Sequence, residues 1–216
     1  RHTRYIGDWS LDVCSSDLAE NAFCYSMHWA LHTMTVLEKL LPMSRPLMSG
    51  IDVGGSYGFL ACELAARGYT ITNLEVIDWR IEKVLPWLAS RCDVADRARG
   101  VASRMEHLAG EDESHDFILF MGSLLCIDRE DVPAVLEKAK QLLKPGGLLV
   151  LRENLLIEAT KSSPVKNEMR FSPEELNDYL QNHVGTPRYY CHLGLDRTFQ
   201  EVLDLWTIFE IGRAHV

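Results

Sequence analysis

The sequence predicts an α/β protein built on a doubly wound, mostly parallel sheet, and three observations predict it. Strand-like and helix-like segments alternate five times between residues 51 and 151. The strand segments are apolar throughout and do not alternate, as strands covered on both faces require. The first of them runs directly into a glycine-rich turn and a helix, Ile51-Asp52-Val53-Gly54-Gly55-Ser56-Tyr57-Gly58-Phe59. Such a turn brings bare backbone to a ligand at the carboxyl ends of the strands.

Taken in order, the elements follow from local chemistry. Met27, Leu31, Met34, Leu37 and Leu41 recur at helical spacing and are closed by Pro42. Ile51–Val53 is a first strand. A helix over 59–67 stops at Gly68, which suits the left-handed residue that ends many helices. Thr70–Leu74 is a β-branched second strand, and 81–88 a helix whose end Pro86 obscures. Residues 101–103 form a weak third strand and 116–121 a strong fourth. Val132, Val135, Leu136, Ala139, Leu142 and Leu143 make one helical face, ended by Lys144-Pro145-Gly146-Gly147. Residues 148–151 are a fifth strand. Ser172-Pro173-Glu174-Glu175 starts a further helix with a cap, a proline and acids. Two last strands are expected over 189–192 and 202–209.

The chain has 216 residues, 47% hydrophobic and 25% charged, enough for one domain that needs neither disulfide nor metal to hold its core. A net charge of −9 argues against nucleic-acid and anionic-membrane partners, which call for clustered Lys and Arg. No apolar run approaches the ~20 residues of a membrane span, and no signal peptide is visible. The six Cys have no paired or metal-ligand spacing. They read as buried thiols in a reducing compartment, so the expected location is the cytoplasm.

The two ends read differently. Residues 1–18 resemble a short-read sequencing adapter translated in frame, and 211–216 resemble the complementary adapter read outward. Both are set aside as non-native tails, leaving 19–210 as a single expected domain.

Spacing decides which ligand the glycine turn takes. A dinucleotide fingerprint needs glycine at the first, third and sixth positions of the turn. Here those positions are Gly54, Ser56 and Phe59, and Phe59 stands where close helix–strand packing needs a glycine. Asp52, Gly54 and Gly58, with Ser56 in place of a middle glycine, instead resemble the first motif of class I S-adenosylmethionine (SAM) dependent methyltransferases. The segment 142–151 resembles the helix–turn–strand that follows the fourth strand in these enzymes. Glu75, 23 residues after Asp52, falls where the family places an acid on the ribose hydroxyls. A carboxylate there accepts two charge-assisted bonds and is expected to have no partner of its own when the cofactor is absent.

The resemblance implies a Rossmann-like seven-stranded sheet with its last strand antiparallel, and SAM as cofactor. It implies cofactor contacts from Asp52, Gly54, Gly55, Ser56, Gly58 and Glu75, joined by Met105, Glu106 and Met121 at the ends of the third and fourth strands. Two positions depart from the family pattern. The adenine-contacting acid falls on Arg104, so either Glu106 supplies the acceptor or Arg104 stacks on the ring. Met105 is equally an apolar wall for adenine or plain core. After the fourth strand, Met121-Gly122-Ser123-Leu124 lacks the Asn/Asp-Pro-Pro-aromatic box of enzymes that methylate adenine or side-chain amides.

Methyl transfer is an in-line displacement at an electrophilic sulfonium, so holding the acceptor at near-attack distance is the main task. A base matters for a hydroxyl or a protonated amine. Candidates are His28 and His32, four apart on the first helix, and Glu153 in Arg152-Glu153-Asn154 after the fifth strand. The expected reaction is methyl transfer to an O or N atom of a small molecule. The alternatives are a protein or peptide N-terminal methyltransferase and a non-catalytic SAM-binding protein of the same fold. Neither nucleic acid nor a membrane is expected as a partner, and the oligomeric state is left open.

Overall fold

The computed structural model describes residues 30, 33–39, 41, 48–156, 171–186, 189–195 and 202–210. The two tails, His28, His32 and Cys24 lie outside them. The chain divides into two compact units, one ending at Arg104 and one starting at Met105.

In the first unit, α1 (33–39) buries Thr33, Met34 and Leu37. Three strands follow: β1 (Ser49–Val53), β2 (Thr70–Glu75) and β3 (Ala98–Ala102). β1 and β2 run parallel, with Ile51 opposite Thr72 and Val53 opposite Leu74. β2 and β3 are also parallel, Leu74 lying opposite Val101. Helix α2 (Phe59–Ala66) leaves the glycine turn directly and ends as expected. Gly68 adopts φ +96 and its N–H donates to the Ala65 carbonyl at 2.9 Å. Arg67 pairs with Glu63 one turn back and with Glu38 of α1, each at 2.7 Å, which ties the two helices together.

The helix after β2 departs from its expected form. One turn of π-helix, Arg80–Val84, precedes α3 (Leu85–Arg91). Pro86 does not end the helix but stands directly after the π-turn, in the first turn of α3, within one continuous helical run. The packing gives the reason for the position of α3. Cys62, Ala65, Ile81, Leu85, Leu88, Ala89, Val94 and Ala98 form one buried cluster, with Phe59 against it. Gly100 on β3 makes room for it, because a Cβ there would lie 2.6 Å from Ile81 Cγ2 and 2.9 Å from Leu85 Cδ2.

The second unit holds β4 (His115–Met121), α4 (Val132–Leu142), β5 (Leu143–Leu156), α5 (Pro173–His183), β6 (Tyr189–Leu195) and β7 (Val202–Glu210). β4 and β5 are parallel. The fifth strand is longer than its apolar run suggests. Leu143 already pairs with His115, and the ladder resumes at Phe117 opposite Leu148. Between them Gly146 takes φ +81 and Lys144 Nζ reaches Asp116 Oδ2 at 2.9 Å. The Lys-Pro-Gly-Gly segment thus bulges out of the ladder without breaking it. β7 pairs antiparallel with both β5 and β6. Ser172 and Glu175 form a reciprocal capping box at the start of α5. No helix among the described residues is long and apolar enough to cross a membrane.

Candidate cofactor site

The glycine turn is laced to the end of β2. The N–H groups of Gly54 and Gly55 both donate to the Leu74 carbonyl, at 2.7 and 3.3 Å. Gly54 and Gly58 have φ of +70 and +84, which explains glycine at both. Ser56 also lies in the left-handed region, at φ +54, where a side chain costs roughly 1–2 kcal/mol. Asn73 Nδ2 donates to the Ser56 carbonyl at 3.3 Å and helps hold it there. Gly55 is required for a different reason. A Cβ on it would overlap Asn73 Oδ1 and lie 2.5 Å from Asp52 Oδ2.

Beneath that bare position lie two buried oxygens. Asp52 is 1% exposed and Asn73 is fully buried. Among the described residues neither Asp52 Oδ2 nor Asn73 Oδ1 has a hydrogen-bond partner. Burial, and secondarily the negative charge of Glu75, push the Asp52 carboxyl up to about 7. Asp52 therefore takes up a proton near neutrality.

Glu75 ends β2 as the motif requires, but it does not wait without partners. Its Oε1 accepts from Val76 N at 2.8 Å and Ile77 N at 3.1 Å, and its Oε2 faces Arg80 Nη1 at 3.4 Å. Both side chains are buried. The expectation of an unpartnered acid fails because the chain turns back over the carboxylate immediately after β2, delivering two amides and a cation. The Arg80 guanidinium lies over the rings of Tyr57, at 4.8 Å, and Trp79, at 5.9 Å.

In the second unit Met105 is fully buried in a 3₁₀ turn, Met105–His107, with Glu106 half-buried beside it. Met121 closes β4. The turn after it, Leu124–Cys126, is held from β5. Glu153 Oε1 accepts from Leu124 N at 2.9 Å and Oε2 from Leu125 N at 3.3 Å. Gly122 N donates to the Arg152 carbonyl at 2.6 Å. Glu153 is 1% exposed, and both of its oxygens hold backbone. This is the geometry of a positioning residue.

Within the first unit the structure brings together Asp52, Gly54, Gly55, Ser56, Gly58 and Glu75. Within the second it sets Met105 and Glu106 in one turn and Met121 at a strand end. Sequence reasoning missed Asn73 and Arg80. A polar amide inside a β-branched strand is the signal for the first. An arginine among the apolar residues of the following helix is the signal for the second.

A methyltransferase-domain family model matches residues 29–192. The chain belongs to that family. It is a class I SAM-dependent methyltransferase, with the α/β Rossmann-like fold of these enzymes: parallel β1, β2 and β3 in the first unit and parallel β4 and β5 in the second. Among curated proteins none matches. Solved structures resemble it in fold. A SAM-dependent methyltransferase from Methanosarcina mazei is 19% identical, with a TM-score of 0.68 over 83% of this chain and 98% of that one. The 1,6-didemethyltoxoflavin-N1-methyltransferase of Burkholderia thailandensis, bound to 1,6-didemethyltoxoflavin and S-adenosylhomocysteine, is 17% identical (TM-score 0.69, covering 96% and 87%). A geranyl diphosphate methyltransferase in complex with SAM is 13% identical (TM-score 0.70, covering 84% and 85%).

SAM fits the residues present. Gly55 is bare because Asn73 Oδ1 and Asp52 Oδ2 already fill the place of its Cβ, and among the described residues neither of those buried oxygens has a hydrogen-bond partner. A cofactor bearing an ammonium group and hydroxyls supplies donors of the kind such oxygens lack.

Proposed function

We propose that this methyltransferase acts on an O or N atom of a small molecule. The observation that carries the cofactor half of the reading is the grouping of Asp52, the Gly54–Gly58 turn and Glu75 in one unit, with the turn's amides tied to the end of β2. Asp52, Gly54, Gly55, Ser56, Gly58 and Glu75 would hold SAM, with Met105, Glu106 and Met121 lining the adenine side. The cofactor supplies an electrophilic methyl group; the chain's own residues bind and orient it. Glu153 fixes the turn after β4, so it serves the acceptor pocket by shaping it. His28 and His32 remain the candidate bases. The net charge of −9 favours a small-molecule acceptor over nucleic acid. Two of the solved structures similar in fold are named for small acceptors, 1,6-didemethyltoxoflavin and geranyl diphosphate.

The same reading includes one domain, 19–210, in the cytoplasm. Its sheet has seven strands, the last of them antiparallel. A protein N-terminal methyltransferase is the rival reading. Incubating the protein with tritiated SAM and pooled metabolites, against pooled peptides, decides between them. Label transferred to the metabolite pool supports the proposal, and label confined to peptides overturns it.

A further inference from the structure

We propose that Arg80 is the residue that positions Glu75 for the ribose of the cofactor. The proposal rests on the reading of Glu75 as the ribose-binding acid. A carboxylate offers about four acceptor positions. Two are on Oε1, and the amides of Val76 and Ile77 occupy them at 2.8 and 3.1 Å. What remains is on Oε2, and Arg80 Nη1 stands on one side of that oxygen at 3.4 Å. Ribose hydroxyls therefore meet an oxygen whose direction is set by the guanidinium.

Arg80 is itself held in place. It is 6% exposed, and its Nε has no hydrogen-bond partner among the described residues. Its central carbon lies over two aromatic rings, Tyr57 at 4.8 Å and Trp79 at 5.9 Å. Tyr57 belongs to the glycine turn and Glu75 to the end of β2. One planar cation thus joins the two segments that carry the cofactor contacts. A lysine ammonium keeps the charge but lacks the planar, delocalised guanidinium that lies over aromatic rings. Arg80 also supplies the positive charge beside Glu75, while the Asp52 carboxyl lies close enough to interact with it. Removing the guanidinium frees Oε2 to turn and leaves Glu75 without its counter-ion.

The test measures how strongly the protein prefers S-adenosylhomocysteine over its 2′-deoxy analogue, by isothermal titration. The proteins are wild type, Arg80→Met, Arg80→Lys, Glu75→Gln and the Arg80→Met/Glu75→Gln double variant. Wild type is expected to prefer the hydroxylated ligand by roughly ten- to hundredfold, the range for bonds to a charged acceptor. In Arg80→Met that preference should shrink to about twofold, and Arg80→Lys should recover part of it. Adding Arg80→Met to Glu75→Gln should leave the preference unchanged, as a shared interaction requires. If Arg80→Met weakens both ligands by one factor and keeps the preference, the proposal is overturned. Should Arg80→Met fail to fold, Arg80→Gln is read by the same criterion. A Glu75→Gln variant that keeps the wild-type preference would strike instead at the ribose reading itself.

Discussion

Replacing Glu153 by glutamine separates a residue that holds backbone from one that moves a proton. The carboxylate accepts from Leu124 N at 2.9 Å and Leu125 N at 3.3 Å, and is 1% exposed. Glutamine keeps one carbonyl oxygen for one amide and turns an NH₂ toward the other, donor against donor. The charge-assisted bond lost is about 1.5–3 kcal/mol, and the buried Leu125 N–H is left unsatisfied. In a protein of this size each kcal/mol moves the melting point by about 2–4 °C, so Glu153→Gln should melt roughly 3–12 °C lower. Glu153→Ala, which strands both amides, should fall further. Thermal unfolding followed by circular dichroism gives the melting point, and turnover with the acceptor found by the tritium assay gives the rate. A general base contributes about 10²–10⁴-fold. A glutamine variant with an unchanged melting point and turnover reduced a hundredfold or more would refute the holding role.

Asp52 makes stability depend on pH. Its folded carboxyl is pushed up to about 7 from 3.8, so between those values the native state binds more protons than the unfolded chain. Wild type should therefore lose stability relative to Asp52→Asn as pH rises from about 4 to 7, and the gap should level off above 7; thermal melts across that range check the sign. Gly55→Ala places a methyl group against Asn73 Oδ1 and Asp52 Oδ2. It should weaken S-adenosylhomocysteine binding by tenfold or more, because the turn must shift, and titration would expose an unaffected site. Deleting 1–18 and 211–216 together should leave the melting point within about a degree; a fall beyond the 2–4 °C expected for ~1 kcal/mol would make those residues part of the fold.

Several features were legible in the sequence because their constraints are local. The Asp52-to-Gly58 turn, the Gly68 stop and the Ser172/Glu175 cap each follow from backbone requirements within a few residues. Longer-range features were not legible. The π-turn at Arg80–Val84 depends on packing Ile81 and Leu85 against Gly100 of β3. The bulge of Lys144–Gly147 depends on Leu143 pairing with His115, a contact that apolar periodicity does not encode. At the site, residue types marked Asp52 and Glu75, but their settings came from elsewhere. Asn73 holds Ser56 across 17 positions, and Arg80 reaches Glu75 because the π-turn brings it back over the strand end. Glu153 looked like a candidate base because three polar residues close an apolar strand. Only the partners Leu124 and Leu125, nearly thirty positions away, reveal its role.

The central claim is that SAM sits on the glycine turn with its ribose on Glu75. Isothermal titration of the whole chain with S-adenosylhomocysteine, for wild type and Glu75→Gln beside NAD as a control, tests it most directly. Wild type should bind S-adenosylhomocysteine and not NAD, and Glu75→Gln should bind it roughly ten- to hundredfold more weakly. Equal affinity of the two proteins for S-adenosylhomocysteine, or binding of NAD in its place, would contradict the account.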